Sequence, residues 1–242
     1  MKVSLILPAA GLGTRMGKNP QPERGGVSRK QFMLLDGLPI IVHTVRKFVA
    51  SALITEIIIA ARSEDMDWVR ELLQNESHVK PIRLVEGGDS RQQSVGNALA
   101  SIHADTDLVA VHDAVRPFID PATIDAVIRE AAVAGAAIVG IVPVDTVKLV
   151  HLHKVRQTLT RERLILTQTP QVFRLELLRQ AFEKAREDGF IGTDESSLVE
   201  RLEQVEVSVV AGSERNIKIT RPNDMDLARL FRRLETPEPV AS

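Results

Sequence analysis

A chain of 242 residues, 44% of them hydrophobic, can bury the core of one large α/β domain or two small ones. Its 31 basic and 32 acidic residues nearly cancel, which argues against a general nucleic-acid binder. Cysteine is absent, so disulfide frameworks and thiolate chemistry are excluded, and with 3% aromatic residues the core must be aliphatic.

The N-terminus lacks the basic, apolar, small-residue pattern of a secretory signal, and no apolar run reaches membrane-spanning length. A cytoplasmic protein without membrane or nucleic-acid partners is expected.

The first predicted strand, residues 3–7, stops at Pro8. Ala9, Ala10, Gly11, Gly13 and Gly17 follow, with Arg15 among them. Small side chains let backbone N–H groups approach a ligand, and a cation there favours an anion. The segment reads as a strand running into a phosphate-cradling loop; a glycine-rich turn without chemical role is the plain alternative. The P-loop string is missing, and the third glycine comes one residue late for the dinucleotide fingerprint. Residues 18–29 are polar, rich in Pro and Gly, and read as a loop. Between Pro8 and Phe32 lie Arg15, Lys18, Arg24, Arg29 and Lys30, against Glu23 alone. That local charge suits a polyanion such as a nucleoside triphosphate.

Further strands are predicted at 56–61, 82–86, 108–112 and 137–142. Helices are predicted at 39–50, 65–75, 90–102, 121–134, 175–187, 194–203 and 222–234. Pro39, Pro121 and Pro222 suit a first helical turn, and Asp120 is a good N-cap. Such alternation implies a mostly parallel sheet covered on both faces, with ligands gathered at the carboxyl ends of its strands.

Those ends are chemically loaded. After strand 82–86 come Gly87, Gly88 and Asp89, then Ser90 as a helix cap and Ser94 one turn in, able to face a base. After strand 108–112 comes Asp113, which is expensive to bury unless a cation meets it. Mg²⁺ bridging triphosphate oxygens would do so. Arg116 can pair with Asp113 or with a substrate phosphate. Residues 143–173 read as a β-ribbon arm that packs on a second subunit or back on its own domain. His151 and His153 share a strand face without a third metal ligand. Lys218 reads as part of a short strand over 216–220, facing solvent or a polar pocket. The Pro-containing tail 236–242 is expected to be disordered, leaving one domain over 1–235.

In order, the chain holds Pro8-Ala9-Ala10-Gly11-x-Gly13-x-Arg15-Met16-Gly17, Lys30-Gln31-Phe32, Gly87-Gly88-Asp89-Ser90-Arg91-x-x-Ser94-Val95 and His112-Asp113-Ala114-Val115-Arg116-Pro117. Asp145-Thr146-Val147-Lys148, Thr169-Pro170-Gln171-x-Phe173, Thr193-Asp194-Glu195 and Asn216-Ile217-Lys218-Ile219-Thr220 follow. From Val3 to about Leu234 the chain resembles the 2-C-methyl-D-erythritol 4-phosphate cytidylyltransferases of the non-mevalonate isoprenoid pathway.

The resemblance implies a Rossmann-like nucleotidyltransferase domain whose β-arm is exchanged in a homodimer. It implies CTP over Pro8, Ala9, Ala10, Gly11 and Gly13, and cytosine read by Gly88, Asp89 and Ser94. Arg15 and Lys30 would hold the triphosphate. Asp113 would hold Mg²⁺ and contact the substrate diol. Arg116, Thr146, Thr193 and Lys218 would line the methylerythritol phosphate site, with Arg161 and Thr169 arriving from the partner's arm. Arg15, Lys30, Asp113 and Lys218 are the expected catalytic set. Two departures stand out: Arg29 replaces the family's usual proline, and 18–29 is longer than usual, so Arg29 competes with Lys30 for the triphosphate. Two rivals remain at this level: a ribitol 5-phosphate cytidylyltransferase and a nucleotide-sensing protein with a retained pocket. Binding alone would not demand Arg15, Asp113, Arg116 and Lys218 together, which speaks against the second.

Overall fold

The computed structural model describes residues 1–12, 29–77 and 79–235. The elements run β1 (Val3–Pro8), β2 (Leu34–Leu35), β3 (Leu38–Pro39), α1 (Ile40–Val49), β4 (Glu56–Ala61), α2 (Met66–Leu72), α3 (Gln74–Ser77), β5 (Ile82–Glu86) and α4 (Arg91–Ala100). Then come β6 (Leu108–Val111), α5 (Pro121–Ala134), β7 (Ala136–Ile141), β8 (Lys148–His151), β9 (Lys154–Thr158), β10 (Leu166–Arg174), α6 (Leu175–Glu187), α7 (Glu195–Glu200), β11 (Ser208–Ala211) and α8 (Pro222–Glu235). None of the described helices is long and apolar enough to cross a membrane.

Seven strands form the central sheet in the order β11-β7-β10-β6-β1-β4-β5. β10 alone runs against its neighbours; every other pairing is parallel. The expected mostly parallel α/β sheet is therefore present. Its inner strands β1, β4, β6 and β7 are buried on both faces, which is why they read as nearly unbroken apolar runs. Successive side chains alternate between faces. Leu5, Leu7, Ile57 and Ile59 join Val45, Phe48, Val127 and Ile128 of α1 and α5 on one side. Ile6, Ile58 and Ala60 join Val95, Leu99, Leu178 and Leu198 of α4, α6 and α7 on the other. Truncating a fully buried anchor such as Phe48 to alanine would cost about 3–5 kcal/mol.

Helix starts follow their caps. Asp120 accepts from Thr123 N–H at 2.8 Å, Ser90 from Gln93 N–H at 3.0 Å and Asp194 from Ser197 N–H at 3.0 Å. Gly135 ends α5 in the left-handed region at φ 92°.

Several expectations need correction. Pro39 pairs in a small hairpin instead of opening α1, because Asp36-Gly37, at φ 49° and 78°, makes the tight turn. The helix expected at 65–75 is broken into a 3-10 turn, α2 and α3. Residues 216–220 form no strand; they are an irregular segment packed by Ile219 against α8. Within the expected arm, only β8–β9 and its flanks stand out from the sheet, as an exposed hairpin turning at Leu152-His153. Leu166–Arg174 is instead a central strand between β6 and β7. The tail 236–242 lies outside the described residues.

Candidate active site

Two loops meet over the end of β4. Ala9 N–H donates to Ala60 O at 2.7 Å, and Gly87 N–H donates to Ala61 O at 2.7 Å. The loops after β1 and β5 are thus fastened to the last two carbonyls of the strand between them. A Cβ on Gly87 would stand 2.4 Å from the Ala10 methyl, so only glycine lets the loops close. Buried Gln31 donates from Nε2 to Ala9 O at 2.5 Å and to Gly11 O at 3.2 Å, setting the first loop from below. Ser94 sets the second: its hydroxyl accepts from Gly88 N–H at 3.1 Å and donates to Ser90 O at 2.9 Å.

Above these loops lies a cavity of about 370 Å³. Pro8, Ala9, Ala10 and Gly11 line one side, with Lys30. Gly88, Asp89 and Ser94 line another, and Asp113 and Lys218 the far end. A second cavity of about 260 Å³ is lined by Arg116, Thr169, Thr193 and others, and shares Arg91, Asp113 and Lys218 with the first. Asp113 therefore stands on the wall between them.

Asp113 is buried at 6% exposure, just past the end of β6. Three basic side chains converge on it: Arg91 Nε at 3.0 Å, Lys218 Nζ at 2.8 Å and Arg116 Nε at 3.5 Å. Burial alone would raise its pKa; Arg91, Lys218 and Arg116 overcome that and hold the carboxyl well below the usual range. Asp113 is ionised at neutral pH. Arg91 also joins buried Glu195 through Nη1 and Nη2 at 2.7 and 2.9 Å. Arg116 donates from Nη1 to Asn216 O at 2.7 Å, tying the Lys218 segment to the site.

The family model described as 2-C-methyl-D-erythritol 4-phosphate cytidylyltransferase matches residues 3–233. A protein of that name from Solibacter usitatus is 62% identical over 247 residues, covering all of both chains. One from Acidobacterium capsulatum is 46% identical over 96% of this chain and 98% of its own. The chain belongs to this cytidylyltransferase family. The crystal structure of 4-diphosphocytidyl-2C-methyl-D-erythritol synthase from Anaerococcus prevotii superposes with a TM-score of 0.84 at 29% identity, covering 96% of each chain.

Against the family's pattern, most expected cytidylyltransferase site residues are gathered at the two cavities. Arg15 and Gly13 lie outside the described residues. Thr146 and Arg161 line neither cavity; Arg161 is exposed beyond the hairpin, donating to Val144 O and, at 3.3 Å, to Glu162. Of the two neighbouring cations, Arg29 turns away and is buried against Glu64, at 2.6 Å, and Asp65, while Lys30 lines the first cavity.

Thr169 belongs to this chain's own sheet, through β10, and not to an arm reaching into a partner. Its hydroxyl accepts from Asp113 N–H at 3.1 Å and meets His112 Nδ1 at 3.1 Å. Burial pushes the His112 pKa down to about 4, so the ring is neutral at pH 7. Its Nε2 faces the Arg116 carbonyl at 3.0 Å, which can only accept. The network therefore puts the ring proton on Nε2 and leaves Nδ1 to accept from Thr169. Thr169 thereby pins the Asp113 backbone with its single proton already donated.

Sequence reasoning missed the partnership of Arg91 with Glu195, although both stood inside the motifs. It also passed over His112, Gln31 and Arg62. Among the described residues there is no cluster of His, Cys, Asp or Glu able to hold a metal ion unaided. Asp113 offers one carboxylate already met by three cations. A carboxylate so engaged cannot hold Mg²⁺ alone; phosphate oxygens of a bound ligand would have to supply most of its coordination.

Proposed function

We propose that the chain transfers a cytidylyl group from CTP to 2-C-methyl-D-erythritol 4-phosphate, giving 4-diphosphocytidyl-2-C-methyl-D-erythritol and pyrophosphate. The observation that carries this is the wall shared by the two cavities. Arg91, Asp113 and Lys218 belong to both, so ligands in the two spaces meet there. The family match favours methylerythritol phosphate over ribitol 5-phosphate as acceptor.

CTP lies over Ala9, Ala10 and Gly11, with its base toward Gly88 and Asp89. Ser94 shapes that end by holding the Gly88 backbone. Lys30 and Arg15 take the triphosphate. Arg116, Lys218 and Thr193 take the acceptor, and Asp113 stands between the two, kept ionised by its cations. A phosphate oxygen of the acceptor attacks the α-phosphorus in line. A new P–O bond forms as the bond to the β-phosphate bridge breaks, and the electron pair leaves with pyrophosphate. A phosphate monoester loses its second proton near pH 6, so no strong base is needed. The chain's work is positioning and charge stabilisation. Mg²⁺, when bound on the triphosphate beside Asp113, supplies further charge neutralisation.

The exposed hairpin of β8 and β9 carries Leu149, Val150, Leu152 and Val155 on its surface, each at least half exposed. An apolar ribbon of this kind suits a second copy of the chain, and the partner subunit's Arg161 would then reach the acceptor phosphate. Water-soluble substrates and products suit a cytoplasmic setting.

The test is pyrophosphate release from CTP, with and without Mg²⁺, offered methylerythritol phosphate or ribitol 5-phosphate. Release that requires both Mg²⁺ and methylerythritol phosphate is expected. Much faster turnover of ribitol 5-phosphate would overturn the acceptor, and turnover undiminished by chelation would overturn the metal.

A further inference from the structure

The first residue after β4 is Arg62, and no sequence motif marks it. Its position follows from the sheet order. β4 lies between β1 and β5, and the loops that leave those two strands are bonded to Ala60 O and Ala61 O. Any ligand that touches both Ala9–Gly11 and Gly88–Asp89 must cross the end of β4, where Arg62 begins. The side chain is half-buried and lines the nucleotide cavity. Its Nε donates to Ala10 O at 3.0 Å, which fixes the guanidinium against the first loop.

A guanidinium carries five N–H donors. One is used on Ala10, and among the described residues the Arg62 side chain makes no further hydrogen bond or ion pair. Its nearest acidic neighbour in sequence, Glu64, is already taken by Arg29 at 2.6 Å. Among the described residues, the remaining donors of Arg62 are therefore unused at the cavity wall. Lys30 is the other described basic residue lining this cavity away from the Asp113 cluster.

We propose that Arg62 is a nucleotide-binding residue that holds the cytidine end of CTP, across the seam between the Ala9–Gly11 and Gly88–Asp89 loops. The placement rests on the cytidylyltransferase reading of the cavity. The acceptors within its chemistry are the cytosine carbonyl and ring nitrogen, the ribose oxygens and the α-phosphate. Because the contact is made before reaction, it strengthens CTP binding more than it speeds transfer.

Titration calorimetry of the full-length protein with CTP and with CMP tests this, using Arg62→Gln and Arg62→Met. Glutamine keeps a donor for Ala10 O but loses the charge and the fork; methionine keeps only the stem. Both variants should weaken CTP and CMP by about ten- to hundredfold, the scale of a lost charged hydrogen bond. The KM for CTP should rise in step while kcat changes far less. Wild-type affinity in the glutamine variant would overturn the proposal, since Arg62 would then only pin the Ala10 carbonyl. Weakened CTP with unchanged CMP would also overturn it, by placing the contact on the outer phosphates. If methionine lowers the melting temperature of the free protein, the glutamine variant carries the test. A wild-type protein that fails to bind CTP at all would defeat the functional reading itself, a result separable from both.

Discussion

Arg91 and Glu195 meet edge to edge, at 2.7 and 2.9 Å, while Arg91 Nε donates to Asp113 at 3.0 Å. One guanidinium thus ties the first turn of α4, beside the Gly88–Asp89 loop, to the start of α7, beside Thr193. Both carboxylates are buried, with Glu195 at 1% exposure. Breaking one side of a buried pair leaves an uncompensated charge. Arg91→Met should therefore lower stability by about 3–5 kcal/mol and loosen Asp113, cutting kcat. Arg91→Lys cannot make the two-pronged contact and should recover only part of each. Denaturant midpoints and kcat measured on the same preparations check this. A methionine variant as stable as wild type would remove the clamp.

Arg29 and Lys30 are adjacent but have different jobs. Arg29 is bonded to Glu64 and to buried Asp65. Lys30 begins the 3-10 turn that brings Gln31 under the Ala9–Gly11 loop, and lines the cavity itself. Lys30→Ala should reduce turnover about a hundredfold or more with the fold intact, the scale of one lost transition-state charge contact. Arg29→Ala should chiefly destabilise, because it removes the buried ion pair with Asp65. Turnover and melting curves for the two variants decide it. A larger kinetic loss for Arg29→Ala at unchanged stability would reverse the assignment.

The strands at 56–61 and 82–86 and the helices at 121–134 and 175–187 were legible to the residue: the inner strand 56–61 is an almost unbroken apolar run, and Asp120, Pro121 and Gly135 mark the two ends of the helix at 121–134. β11 was not, since its Ser-Val-Val-Ala run is only half covered at the sheet edge. β10 was hidden by Pro170, which lies inside a register shift against β7 where a missing N–H is tolerated. In the site, small residues pointed to the two loops that line the first cavity, since their close approach demands them. The pairing of Arg91 with Glu195 spans 104 residues, and nothing local announces it. Arg62 follows a plain apolar strand, and only the sheet order gives it meaning.

His112 makes stability depend on pH. Its pKa falls from 6.5 to about 4 on folding, chiefly through burial. Between those values the unfolded chain binds more protons than the folded one, so stability is full above pH 6.5 and declines as pH drops toward 4. About 3 kcal/mol is at stake over that range. The depressed Asp113 acts at lower pH, with its contribution lost once pH falls below the ordinary carboxylate range. Denaturant titrations at pH 7 and pH 4.5 should show the loss, and His112→Asn, which cannot titrate, should show a smaller one. Equal losses in both proteins would place the effect elsewhere.

Arg161 offers the decisive test of assembly. It sits just past the exposed hairpin of β8 and β9, lines neither cavity of its own chain and is held by Val144 O and Glu162. If the hairpin is exchanged, each active site takes Asp113 from one subunit and Arg161 from the other. Asp113→Ala and Arg161→Ala should then each be inactive as pure dimers. In a mixed dimer one site receives both defects and the other neither. Full exchange of equal amounts makes about half of all dimers mixed, with one intact site in two, so about a quarter of wild-type activity should return if the sites act independently. Subunit exchange can be followed separately by native mass spectrometry with isotopically labelled protein. Dimers that exchange yet stay inactive would confine Arg161 to its own subunit, and a protein that remains monomeric would remove the shared site altogether.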